Sequence, residues 1–321
     1  MKLSAQAEAA CQNKYEPGIE WEETACPLCG CQRWTPFLEA PDNISGNGGL
    51  WFAVVQCLEC ELCFTNPRPS PKSISRFYPP TYWPERAPGP DRQQREPRSV
   101  RRWCQPRKER RILGWHGKGR LLDFGCGEGA FLHRMHQHGW HVTGLDLYPK
   151  PVQRIQHDLG LPAFVGSLPH PELRPESFDV ITMWHSLEHV HNPRDVLQHA
   201  YFLLAPGGQL MAAVPNIDSL PFQWFGKYWF GLDLPRHLTH FSPKSLHCLL
   251  ARTGFRIKSM HMIRQSGWMR NSAQLAIQGS GKNRFRWHRW LQGKHLSRIA
   301  TWYTFLRRQC DCLMVTAERR D

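Results

Sequence analysis

The chain predicts an α/β protein in which an open, doubly wound sheet follows a small cysteine-built module. Three observations lead there. From residue 120 onward, apolar runs of strand length alternate with longer stretches of helical character. The first of these runs breaks into three glycines at alternate positions, in LLDFGCGEGAFL at 121–132. Ahead of both, six of the 12 cysteines fall into two clusters, CPLCGC and CLECELC.

The bulk numbers bound the rest. At 321 residues and 41% apolar content, the chain can bury one large core and a small one. A net charge of +14 leaves three acidic partners open: nucleic acid, an anionic membrane surface and a phosphorylated substrate. It also fits arginines that only keep the protein in solution. Residues 1–25 show no apolar core of a secretory signal, and no run approaches the roughly 20 apolar residues of a membrane span. The expected location is the cytoplasm, where cysteines serve metals more often than disulfides.

Residues 1–70 read as a zinc ribbon. Cys26/Cys29 and Cys57/Cys60 are two C-x-x-C knuckles, each presenting two thiolates, and together they complete a tetrahedral structural Zn²⁺ site. A strand at 50–56 and a loop at 41–49 separate them. Cys31 and Cys63 are spare thiols or alternative ligands. Residues 71–117 read as a linker. Its first part is rich in proline and aromatics, and 91–111 carries nine Arg or Lys against three acids, with a helix expected at 98–113. That helix reads as a solvated basic face or, less readily, a nucleic-acid contact.

Residues 118–321 form the main domain. Strands are expected at 120–124, 141–146, 163–167, 178–184, 208–214, 255–263 and 311–318, with helices at 129–138, 149–158, 193–204 and 243–253. This order predicts a parallel sheet. The segment 264–309 interrupts it as a helical insert or lid. Within it Leu296, Ile299, Tyr303 and Leu306 form an apolar stripe at helical spacing beside many arginines. The stripe reads as a lid packed on the domain or as a helix lying in a membrane interface.

Strand, glycine turn and helix at 121–138 put a helix N-terminus at the mouth of the sheet. Gly125, Gly127 and Gly129 admit a ligand close to main-chain N–H groups. Gly125, Gly127 and Ala130 also satisfy the dinucleotide spacing, so the turn alone does not choose a cofactor.

The order LLDFGCGEGAFL, LDLYPK, SFDVITMWHSLEHVHNP and LLAPGGQLMAAVPN resembles the class I S-adenosylmethionine (SAM)-dependent methyltransferases. CPLCG followed by CLECELCFTNPRPS resembles the subgroup with an N-terminal zinc-binding module, related to sugar C-methyltransferases and quinone O-methyltransferases. The resemblance implies a Rossmann-like, seven-stranded doubly wound sheet and SAM as cofactor. It implies that Asp123 and the three glycines hold the methionine end, that Asp146, with Leu147 beside it, takes the ribose hydroxyls, and that Ser167 stands where the family contacts adenine, often through Asp. An acid beside the turn would repel the pyrophosphate of a dinucleotide.

Two further stretches carry candidate chemistry. In WHSLEHVHNP, His185 occupies the place of the first Glu of the quinone enzymes' E-x-x-E-H, a pattern suited to a metal. The preferred reading has His185 facing the cofactor, with Glu188 and His189 shaping the substrate mouth. In DLPRHLTHFSP, His237 matches the base of the sugar C-methyltransferases, although Arg236 replaces the acid before it; His240 is the second candidate base. A structural role for these histidines is the alternative. The expected function is methyl transfer to a small-molecule acceptor, such as a sugar or glycan intermediate. A nucleic-acid methyltransferase and a non-catalytic binding module are the rivals.

Overall fold

The computed structural model describes residues 18–43, 50–78, 119–279 and 286–320. The basic stretch at 91–111, its expected helix and most of the 71–117 linker lie outside these residues.

The N-terminal part contributes β1 (Trp21–Glu22), β2 (Trp34–Pro41), β3 (Trp51–Cys57), β4 (Cys63–Thr65) and β5 (Arg68–Pro69). The main domain follows as β6 (Arg120–Phe124), α1 (Ala130–Gln137), β7 (His141–Asp146), α2 (Pro149–Leu159), β8 (Ala163–Val165), β9 (Phe178–Trp184), α3 (Pro193–Leu203) and β10 (Leu204–Pro215). Then come α4 (Leu220–Phe225), β11 (Thr239–His240), α5 (Pro243–Arg252), β12 (Phe255–Ile263), α6 (Ser266–Gly279), α7 (Arg286–Leu291), α8 (Lys294–Leu306) and β13 (Cys312–Arg319).

The central sheet has seven strands in the order β12-β13-β10-β9-β6-β7-β8. Its strands are apolar and alternate between two cores, as the pleat requires. Leu121 and Val180 point to one face with α1 and α2, through Leu132, Met135, Val152 and Ile155. Leu122 and Ile181 point to the other with α3 and α5, through Val196, Leu197, Leu246 and Leu249. The sheet is mixed, which corrects the expectation of an all-parallel one: β13 runs antiparallel to both β10 and β12. Ile263, the last residue of β12, pairs with Cys312, the first of β13. The helical insert therefore stays at one end of the sheet, and the chain re-enters from the end it left. This is an expanded hairpin, with no crossover to keep the strands parallel.

The N-terminal strands are not a separate bead. β2, β3 and β4 form a sheet whose fourth strand is β11, from the main domain: Thr239 pairs with Phe64 and His240 with Cys63. Its inner strands β3 and β4 are packed on both faces, whereas Thr35, Pro36 and Phe37 of β2 are exposed. Val55 and Cys57 join the core under α3 and α5, whereas Phe52 and Val54 join a second core with Trp229, Leu234 and Met269. The start of the expected linker is packed as well, with Ile74 and Phe77 buried in that second core.

In the insert, α8 lies against α6. It does so through Ser297, Thr301 and Thr304, which are buried, and not through the apolar stripe, which faces outward.

Candidate active site

The carboxyl ends of β6, β7, β8 and β9 open into a cavity of about 760 Å³. One half of its wall comes from the strand ends, including Gly125, Asp146, Leu147 and Ser167. The other half comes from His185, Glu188 and His189 after β9, from Asp233 and His237, and from Tyr78 and Trp268.

In the first half, the glycine turn is shaped by close packing. Gly125 has φ +73°, and a Cβ there would lie 2.5 Å from Cβ of Ser186. Gly129, at φ +74°, starts α1 against Ile155. Gly127 donates its N–H to Asp146 Oδ2 at 2.9 Å, and Tyr148 donates to Oδ1 at 3.0 Å. Burial raises the Asp146 carboxyl, and these N–H groups offset part of that rise. Each oxygen has accepted one bond, so the carboxylate can still accept from two neighbouring hydroxyls, and it lines the cavity. With apolar Leu147, Leu168 and Val190 in the same wall, this donor and acceptor set fits the nucleoside end of SAM. Asp123 is buried below the turn, where Thr182 donates to its Oδ1 at 2.6 Å.

The second half is a knot of titratable groups. His185 adopts φ +54° in the turn after β9, a conformation rare outside glycine, and its ring stands 5.4 Å from that of Trp268. Its Nδ1 is 3.4 Å from Glu188 Oε1. Glu188 is fully buried, and neither of its oxygens has a hydrogen-bond partner among the described residues. Burial raises its carboxyl above the ordinary range. His237 Nδ1 lies 2.9 Å from the Gly231 carbonyl, which can only accept, so Nδ1 carries the proton and Nε2 is the free base. That Nε2 is 3.8 Å from Asp233 Oδ2 and 3.9 Å from Glu188 Oε1. Burial holds the His237 imidazole below the usual histidine value, against the pull of both carboxylates. His189 stacks edge-on against His237 at 4.6 Å and is held down to about 4, first by burial and then by His237. Its Nδ1 sits 3.0 Å from both the Arg236 carbonyl and the Tyr78 hydroxyl.

Several of these groups have no signal in the sequence. Asp233 supplies the carboxylate beside His237 that Arg236 does not. Arg236 is itself fully buried between Asp233 and Asp42, with Nε 2.7 Å from Asp233 Oδ1. Tyr78 and Trp268 fall within stretches read only as connector and lid. His240 is turned away from the cavity: its Nε2 is 3.1 Å from the Thr65 hydroxyl, and burial lowers it to about 3. Ser242 then caps α5 by accepting from Ser245 N–H at 3.1 Å.

A second cluster lies in the N-terminal sheet. The sulfurs of Cys26, Cys29, Cys57 and Cys60 all lie within 4.8 Å of one another, with Cys26–Cys60 at 3.4 Å and Cys29–Cys57 at 3.5 Å. Four unbridged thiols this close fit the edges of a tetrahedral ZnS₄ site, about 3.8 Å for Zn–S bonds of about 2.3 Å. Cys31 bonds instead to Arg33, and Cys63 packs in the second core.

Comparison with known proteins places this architecture. A family model described as a methyltransferase domain matches residues 91–259, just over half of the chain. The chain belongs to this family, the class I SAM-dependent methyltransferases. Among curated relatives, the ubiquinone biosynthesis O-methyltransferase of Vibrio cholerae is 34% identical over 109 residues, covering 32% of this chain and 44% of the relative. The protein of the same name from Pectobacterium carotovorum is 34% identical over 115 residues, covering 34% and 48%. The chain thus spans less than half the length of the curated relatives it matches. Among solved structures, a SAM-dependent methyltransferase from Mesorhizobium loti is 20% identical with a TM-score of 0.47, covering 67% of this chain and 98% of that one.

Proposed function

We propose that the chain transfers the methyl group of SAM to a hydroxyl or a weakly acidic C–H of a small-molecule acceptor, with His237 as the base. The observation that carries this reading is the pairing of a free Nε2 on His237 with a buried, unbonded Glu188 carboxyl in one cavity wall, opposite Asp146. An acceptor with one hydroxyl donating to Glu188 would satisfy that orphan oxygen and bring the proton of its neighbouring reactive hydroxyl or C–H toward His237. Bound SAM would supply a methyl group on a sulfonium, a leaving group that needs no acid. The chain's residues then have two tasks, alignment and proton removal. Asp233 and Glu188 stabilise the imidazolium that His237 becomes. His185 and Trp268 would exclude water from the transfer path.

The acceptor class has two sources of support. The DLPRHLTHFSP stretch resembles sugar C-methyltransferases and supports a sugar or glycan intermediate. The curated relatives act in ubiquinone biosynthesis, which supports a phenolic hydroxyl. The cavity volume suits either and is small for a duplex nucleic acid. The Cys26, Cys29, Cys57 and Cys60 cluster is proposed as a structural Zn²⁺ site, and the cytoplasm as the place of action. The deciding experiment is titration with S-adenosylhomocysteine, followed by a radiolabelled-methyl screen of sugar nucleotides against catechols. Micromolar binding and transfer to one class supports the reading. Failure to bind favours a non-catalytic module, and transfer to RNA alone overturns the small-molecule acceptor.

A further inference from the structure

We infer that the exposed face of α8 docks the protein on an anionic lipid surface. The helix is built inside out. Ser297, Thr301 and Thr304 face inward and are 0%, 2% and 0% exposed, while Ile299 and Leu306 face outward at 63% and 75%. The buried hydroxyls return to carbonyls of their own helix: Thr301 to Arg298 and Thr304 to Thr301, both at 2.9 Å. At about 100° per residue, Leu296, Ile299, Trp302, Tyr303 and Leu306 share one sector opposite those hydroxyls. Trp290, on α7, is 69% exposed. An apolar stripe kept out of the core while small polar residues fill the contact reverses the arrangement of an ordinary surface helix.

The charge around the stripe selects the occupant. Between Ser280 and Cys310 the chain has eight Lys or Arg and no Asp or Glu. Of these, Arg289, Lys294, Arg298, Arg307 and Arg308 are exposed on or beside the two helices. A second copy seated on this face by a two-fold axis would set like charges against each other. Nucleic acid would satisfy the charge but leave the aliphatic Leu296, Ile299 and Leu306 without a partner. An anionic bilayer answers both: acyl chains take the stripe, headgroups take the guanidinium and ammonium groups, and Trp and Tyr sit at the boundary between them. The 13-residue α8 is too short to cross, and among the described residues no helix is long and apolar enough to do so, so it lies in the interface plane. α8 packs on α6, which carries Trp268 into the cavity wall, so the docking face and the cavity share one structural unit. The inference does not depend on the identity of the methyl acceptor.

Flotation of the full, zinc-replete chain with vesicles tests it. Binding is expected to vesicles of phosphatidylcholine with about 30% phosphatidylglycerol, with little to phosphatidylcholine alone, and a loss at high salt. Ile299→Glu with Leu306→Glu should weaken binding by about tenfold or more, and Arg289→Glu with Arg298→Glu should do so without touching the stripe. S-Adenosylhomocysteine affinity should stay constant in both pairs and reports that they fold. Absence of flotation, or flotation equal in the stripe variant, overturns the inference. So does a wild-type dimer that the stripe variant dissociates, or RNA binding that both charge and stripe variants abolish while flotation persists.

Discussion

Arg236 and Asp42 form a bidentate ion pair, 2.7 and 3.1 Å between paired atoms, in which both side chains are completely buried. The two residues are 194 positions apart, and the pair ties the end of β2 to the loop that carries Asp233 and His237. Burial disfavours the guanidinium charge, but Asp233 and Asp42 outweigh it and hold the group firmly protonated.

Asp42→Ala should therefore cost about 3–5 kcal/mol, because it leaves a buried guanidinium with one carboxylate fewer. Denaturant titration measures it. Turnover should fall further than S-adenosylhomocysteine affinity, since the displaced loop belongs to the acceptor side. Asp42→Asn, which keeps an oxygen for the guanidinium to donate to, should lose less stability than Asp42→Ala; an equal loss would mean the pair is not its source.

Asp146→Ala should weaken S-adenosylhomocysteine by about tenfold or more, roughly 1.4 kcal/mol, while the thermal transition stays cooperative. Unchanged affinity would remove the ribose role from this residue.

His237→Gln should lower turnover by about 10²–10⁴-fold and leave cofactor binding intact. Because burial holds the His237 imidazole low, the acid limb of kcat/KM should lie below the ordinary histidine value of about 6.5. A limb at or above that value would point to another base.

Cys57→Ser should release zinc in a metal assay, and chelation of the wild type should lower the unfolding temperature. Full retention of metal by the variant would sink the four-thiolate site. Chelation should also reduce turnover, because β4 pairs with β11 next to His237.

Asp311 gives a pH signature. It is fully buried, and burial lifts its carboxyl to about 7, although Trp229 Nε1 donates to Oδ1 at 3.1 Å. The folded state keeps a proton that the unfolded chain releases near about 4. That contribution is fully present below about 4 and is lost as pH rises through about 7. Asp311→Asn should flatten the fall in unfolding temperature between pH 5 and pH 8. An unaltered fall would place the responsible group elsewhere.

The strands and helices of the main domain are legible in the sequence because each carries its own period and punctuation. β6, β7, β9 and β12 begin and end at the residues their apolar runs predict. Asp146 and the glycine turn are legible for the same local reason. What was not legible is nonlocal. Nothing near Arg236 announces Asp42, and nothing near Asp233 announces that it stands in for the acid before His237. The stripe on α8 is plain in the sequence, but which face turns inward depends on what α6 offers, and the hydroxyl face wins. The direction of β13 depends on which end of the sheet the insert occupies, a property of the assembled fold.

The pairing of β4 with β11 also sets a schedule for biosynthesis. Thr65 and its partner His240 are 175 residues apart, so the N-terminal sheet stays one strand short until His240 has left the ribosome. The edge of β4 is exposed for most of translation, with the thiols already made. A nascent chain in this state offers an open strand to other chains. Slow synthesis between residues 70 and 240 should favour aggregation, and early zinc loading should counter it by holding the knuckles closed while the rest of the chain is made.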